Sequence, residues 1–162
     1  MKNLSQPKLN PARGKWIACL IALLALSPPC FTVNAAPEGK PEAVTITQHS
    51  ALGGSSVFVA SGAITDSGTV TLDSVLASAL PSPVVGTAHY IRTYHGSLGT
   101  LTLQLQTLLT STDVPWLWEE TGHWVIIDAT GAYEGLHGAG EELGVRDFLV
   151  NTLDAVFTGN VH

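Results

Sequence analysis

The amino-acid sequence predicts an all-β protein, a single eight-stranded antiparallel barrel carried behind an N-terminal signal peptide. Three observations lead there. Residues 43–162 divide into roughly eight runs of strand character, in sequence order, separated by Gly, Pro, Ser and Asp. An open sheet of that many strands would leave two long edges unpaired, and closing it removes both. The first 35 residues carry the three parts of a secretory signal.

That signal has a basic start, Lys2, Lys8, Arg13 and Lys15, with no acidic residue before Glu38. The apolar run Trp16–Leu26 follows. As a helix it would rise only ~16 Å, about half of a ~30 Å hydrocarbon core, so a spanning anchor is disfavoured. Ser27-Pro28-Pro29 breaks the run, and the small residues of Val33-Asn34-Ala35-Ala36 place cleavage after Ala35. Neither Cys19 nor Cys30 has the small apolar residues before it that lipidation needs. The product is expected to be secreted, to the periplasm or beyond the cell, with no membrane anchor in its mature form.

Processing changes the charge. What remains keeps three basic residues (Lys40, Arg92 and Arg146) against thirteen acidic ones, a net charge of −10. Such a surface repels phosphate backbones and anionic headgroups, which argues against nucleic acid as a partner. Both cysteines leave with the signal, so no disulfide, thiol nucleophile or cysteine metal site is expected. Residues 36–42, charged and Pro-bearing, read as a linker, and residues 43–162 as the barrel domain.

The strand runs are Ala43–His49, Ser56–Thr65, Gly68–Val75, Val84–His95, Thr100–Leu109, His123–Thr130, Ala139–Val145 and Phe148–Thr158. Asp66-Ser67-Gly68 and Ser97-Leu98-Gly99 read as hairpin turns that use glycine for positive φ. The clearest alternation is Thr100–Thr107, with Leu101, Leu103 and Leu105 on one face and Thr102, Gln104 and Gln106 on the other. Leu72–Leu80 and Glu141–Leu153 also admit a short helix.

The segment Gly122–Gly140, a strand ending in Gly131-Ala132-Tyr133-Glu134-Gly135-Leu136-His137-Gly138-Ala139-Gly140, resembles the hallmark of the allene oxide cyclase barrel-like domains. These are calycin-like barrels related in shape to plant allene oxide cyclases and dirigent proteins. Gly99–Thr107 and Phe157–His162 are also similar to that group. The resemblance implies a calycin-like barrel with a central apolar cavity. It also implies kinship with proteins that act on or orient reactive hydrophobic intermediates, although most bacterial members have no assigned activity. Read from the residues themselves, the glycines serve sharp turns and close backbone approach, with Tyr133 and Leu136 folded in as a plug. The alternative points the Tyr133 hydroxyl into a ligand cavity. The glycine spacing does not fit a dinucleotide fingerprint.

Other chemistry is weakly signalled. His89 and His95 are six residues apart on one strand, hence ~20 Å apart and unable to share an ion. His123 near Glu119 and Glu120 lacks a ligand pair at helical or strand spacing, so neither a metal nor a cofactor is expected. Gly53-Gly54-Ser55-Ser56-Val57 lacks the glycine two residues after the serine that a nucleophile elbow needs. Trp116, Trp118 and Trp124 read chiefly as core or as cover for a barrel end.

Tyr90, Arg92 and Tyr94 share one strand face. In a cavity, an arginine between two phenols would orient a carbonyl or enolate through charge-assisted hydrogen bonds. The favoured reading has this face in solvent, with Arg92 stacked on the rings or paired with an acid such as Asp128. The candidate ligand-binding residues are therefore Tyr90, Arg92, Tyr94 and Tyr133, and no catalytic set is legible. The expected function is a binding module for a small apolar ligand in the barrel, or a structural secreted protein. A cyclase or isomerase for a hydrophobic intermediate is the alternative that the resemblance implies.

Overall fold

A computed structural model describes residues 39–51, 55–77 and 85–162. The signal peptide expected over residues 1–35 lies outside the described residues, as do residues 52–54 and 78–84 and with them Gly53 and Gly54. Of the expected linker, residues 39–41 are exposed and have no regular structure.

The described chain is a closed antiparallel barrel of eight strands in sequence order. The strands are β1 (Glu42–Ala51), β2 (Val57–Gly62), β3 (Asp66–Ala77), β4 (Val85–Gly96), β5 (Thr100–Ser111), β6 (Leu117–Ala129), β7 (Gly138–Asp147) and β8 (Thr152–Val161). One 3₁₀ turn, Gly131–Tyr133, sits between β6 and β7. Closure comes from β1 against β8, paired continuously from Glu42↔Val161 to Ala51↔Thr152. Among the described residues every strand has a neighbour on both sides, although β2 covers only Asp66–Thr69 of β3.

Several local expectations are corrected. Asp66-Ser67-Gly68 is not a turn: it opens β3, paired with Val57–Ala60. The reversal comes earlier, after Gly62, whose φ of 94° takes the left-handed geometry that a side chain resists. Ser97-Leu98-Gly99 is a turn, but Gly99 serves close approach there, since a Cβ would lie 2.1 Å from the Thr130 carbonyl oxygen. Phe148 does not begin the last strand. Residues 148–151 turn instead, with the Asp147 carboxylate accepting the N–H groups of Leu149 and Val150. The helical alternatives are absent among the described residues: Leu72–Ala77 belongs to β3, and Glu141–Leu153 is split between β7 and β8. β6 begins at Leu117 rather than His123, because β5 continues to Ser111 and pairs it there with Trp118.

The interior is divided along the barrel axis. At the end holding the β2–β3, β4–β5 and β6–β7 connections it is packed solid. Val44, Phe58, Ile64, Leu101, Trp124, Phe157 and Val161 are all buried there. Tyr94 stands among the rings, edge-on to Phe58 (centroids 5.3 Å apart) and to Phe157 (6.0 Å). Gly159 is what admits Trp124, because a Cβ there would lie 2.5 Å from the indole. Each large side chain sealed in this way contributes about 1.5–3 kcal/mol by its removal from water.

Toward the other end the filling stops. β3 carries an irregularity in its pairing between Leu72 and Ser74. Beyond it the positions opposite Arg92 and Tyr90 are Leu72 and Val75, which are 57% and 49% exposed. Residues on the barrel's inner register that see this much solvent mark an open mouth.

Candidate functional site

The mouth is built from the inward faces of β1, β4 and β7. On β4, Tyr90, Arg92 and Tyr94 pair across to Leu105, Leu103 and Leu101. Side chains directly opposite in a sheet share a face. The leucines point into the barrel, so the tyrosines and the arginine do too, and all six are buried. The solvent-exposed reading of this face is therefore wrong. Arg92 is 3% exposed and pairs with Glu142 at 3.2 Å, not with Asp128, which lies on the outside. Its guanidinium also lies 4.6 Å from the centre of the Tyr90 ring.

A charged layer surrounds Arg92. The Thr107 hydroxyl on β5 donates to the second Glu142 oxygen at 2.8 Å. On β6 and β7, Glu120 accepts a hydrogen bond from Arg146 Nε. Glu120 and Glu142 are both 0% exposed, and the second Glu120 oxygen has no hydrogen-bond partner. On β1, Gln48 accepts the Tyr94 hydroxyl at 2.7 Å and donates to Ser50 at 2.8 Å.

Burial drives the titration of these groups. Desolvation raises the Glu142 carboxyl above its ordinary range even though Arg92 and the Thr107 hydroxyl pull it down. Burial also raises the Tyr90 phenol, assisted by the nearby Glu120 charge. The Tyr94 phenol is pushed far up, again chiefly by burial. Burial works against the Arg92 charge as well. Glu142 first, then Tyr94, Glu120 and Tyr90, outweigh it and hold the guanidinium charged.

A cavity of about 160 Å³ opens at the mouth. Arg92, Arg146, Gln48 and Ser50 bring polar groups to it, and Val70, Leu72 and Leu153 form its apolar side. A ~150 Å³ cavity accepts a ring the size of benzene, so one small ring with a polar group fits.

Tyr133 is not part of this site. Its hydroxyl donates to Asp66 at 2.5 Å at the packed end, where Asp66 also accepts the Ser97 hydroxyl and the N–H groups of Ser67, Ser97 and Leu98. Those bonds, Ser97 first and Tyr133 second, hold the Asp66 carboxyl well below its usual range. Burial, and then Asp66, push the Tyr133 phenol up. Tyr133 and the partly buried Leu136 cover this end of the core. Of the four candidate residues Arg92 lines the mouth cavity, Tyr90 stacks on its guanidinium, Tyr94 stands among the packed rings, and Tyr133 closes the far end.

The remaining candidates scatter. His49 contacts Asp154 at 2.6 Å on the outer surface. His137 and His162 lie side by side, their ring centres 6.2 Å apart. Among the described residues no three His, Cys, Asp or Glu side chains gather as a metal would require. Trp124 is core, Trp118 meets Phe148 edge-on, and Trp116 is exposed.

Glu120, Glu142, Arg146 and Thr107 were not singled out from the sequence. One clue was available: Glu142 and Arg146 are four apart on a strand, hence on one face, and Arg146 is one of only three basic residues beyond position 35. Comparison with protein-family models, curated proteins and solved structures finds no match for this chain.

Proposed function

We propose that this protein is an exported binding module that takes one small amphipathic molecule at the barrel mouth, polar group inward. One observation carries the reading: a buried, charged arginine stands on the wall of a solvent-open cavity, with the apolar Leu72 beside it and Val70 and Leu153 also in the lining. Burying Arg92 and Arg146 costs stability unless the geometry is well satisfied, and apolar replacements of such pairs are often neutral or stabilising. A recognition role accounts for their presence. The packed half leaves no room for a large apolar ligand deep in the barrel, so the ligand's apolar part rests on Val70, Leu72 and Leu153 at the rim.

The resemblance of Gly131–Gly140 to the allene oxide cyclase barrel-like domains supports a cyclase or isomerase as the second reading. Arg92 would then polarise a carbonyl or stabilise an enolate. Binding is preferred because neither buried glutamate lines the mouth cavity, which leaves no acid or base in reach of a bound molecule.

Thermal melting with benzyl alcohol, benzamide and benzoate tests the binding reading. At ten times its Kd a ligand adds about 1.4 kcal/mol, a rise of a few degrees. At least one compound is expected to give that rise with the wild type and none with Arg92→Met. A flat response from the wild type to all three overturns the reading. Chemical change in a bound compound, lost in Arg92→Met, would decide for the enzyme.

A further inference from the structure

The charge balance of the mouth says more about the head group. Arg92, Arg146, Glu120 and Glu142 are neutral together when all four are ionised. The titratable groups facing this layer are Tyr90, Arg92 and Tyr94 from β4, Glu120 from β6, and Glu142 and Arg146 from β7. Gln48 and Thr107 complete it from β1 and β5 without charge, and the inward residues of β2, β3 and β8 here are apolar. Both phenols are raised, which keeps them neutral, and Glu142 is the carboxylate here that burial pushes toward its neutral form.

We propose that the head group taken at the mouth is a carboxylate, held by Arg92 and Arg146, and that its binding takes up one proton at the buried Glu142. The proposal rests on the small-ligand reading above and deepens it. A cavity wall with two arginines is a donor surface, and guanidinium matches a planar carboxylate through two parallel hydrogen bonds. The hydrogen bond from Arg92 to Glu142 uses one of five N–H donors on that side chain.

An arriving carboxylate would leave the layer one negative charge in excess beside Glu120 and Glu142, both 0% exposed, and an uncompensated buried charge is strongly disfavoured. Protonation of Glu142 removes that excess. Glu120 adds to the need for it, having one fully buried oxygen with no donor at all. Glu142 is suited because desolvation already favours its neutral form. The proton is placed at Glu142, whose charge the nearby Glu120 also disfavours. It comes from solvent: a carboxylate anion and one proton enter, and no bond in the ligand changes.

Calorimetric titration of the protein with benzoate and with benzamide at pH 7, in two buffers of different ionisation enthalpy, tests this. For benzoate the heat is expected to differ between the buffers by the equivalent of about one proton, with affinity falling up to about tenfold per pH unit above neutrality. Benzamide is expected to show neither effect. In Glu142→Gln, and separately in Glu120→Gln, the proton uptake is expected to shrink or vanish while benzoate still binds. If one variant fails to fold, the other and the wild-type buffer comparison still decide. Benzoate binding with no proton uptake overturns the inference. So does binding of benzamide alone, which leaves the small-ligand reading standing. If neither compound binds, both fall.

Discussion

Asp66 at the packed end receives five hydrogen bonds, from two hydroxyls and three backbone N–H groups. Glu120 in the mouth half receives one from Arg146, and its other oxygen has none. Both are carboxylates on the inner register of the same barrel, and their environments are opposite in kind. A carboxylate with its acceptors filled ties three connections together, here the start of β3, the 97–99 turn and Tyr133. One with a vacant acceptor sits in a place where a proton or another molecule completes the arrangement. The same contrast appears in titration. Asp66 is lowered by its hydrogen bonds, whereas Glu142 is raised by its burial. One end is organised for stability and the other retains groups that stability alone does not require.

If that division is right, the largest loss comes from the packed end. Phe157 is fully buried against Tyr94. Phe157→Ala is expected to lower unfolding free energy by about 3–5 kcal/mol, read by urea denaturation, because the packed neighbours cannot collapse into the space. A loss under about 1 kcal/mol would mean this half is loosely filled and the two ends are alike.

Arg92→Met breaks the mouth layer and leaves Glu142 without its cation. A sealed pair broken on one side costs about 3–5 kcal/mol, and water at the open mouth should reduce this to about 2–3 kcal/mol at neutral pH. The loss has a pH signature. Glu142 is already raised in the folded protein, and losing Arg92 raises it further. Below its ordinary value of 4.5 the folded and unfolded states are both protonated, so the deficit is small there and grows as pH rises through the folded value. Replacing both partners, with Arg92→Met and Glu142→Leu, is expected to recover most of the loss. A deficit that does not change between pH 4 and pH 8 would show that Glu142 carries no raised titration.

These contrasts explain which features were legible in the sequence. The barrel was, because each strand carries its own period-two pattern and Leu101, Leu103 and Leu105 declare the inner face without help from elsewhere. Strand limits were less so. The Asp66 segment looks like a turn by composition, yet its carboxylate serves a network assembled from residues about 30 and 67 positions away. The face of β4 was misjudged because an arginine between tyrosines is usually a surface feature, and only the register with β5 shows it turned inward. Glu120 and Glu142 were invisible for the same reason: their partners are fixed by pairing across β4, β6 and β7, not by spacing along the chain. Tyr133 was placed correctly as a plug, since its role is local, but its partner Asp66 was not foreseen.

The smallest expected effect sharpens the comparison at the packed end. Tyr133→Phe keeps the ring over the core and removes one hydrogen bond to Asp66, for a loss of about 1 kcal/mol at pH 7. The pH dependence separates this bond from simple packing. Asp66 has a lowered folded pKa, so its contribution is present above its ordinary value of 3.8 and is lost as pH falls toward the folded value. Without the Tyr133 hydroxyl Asp66 is depressed less, and the variant has less to lose on acidification. Tyr133 works in the other direction. Its pKa is raised on folding, so the wild type loses stability as pH climbs above 10 while the unfolded phenol ionises, and phenylalanine is spared this. The difference between the two proteins is therefore expected to be greatest from about pH 5 to 9 and to narrow on both sides. Urea denaturation at pH 3, 7 and 10.5 reads it. A difference constant across that range would mean that Tyr133 seals the end by its ring alone and that Asp66 is held by the backbone and Ser97.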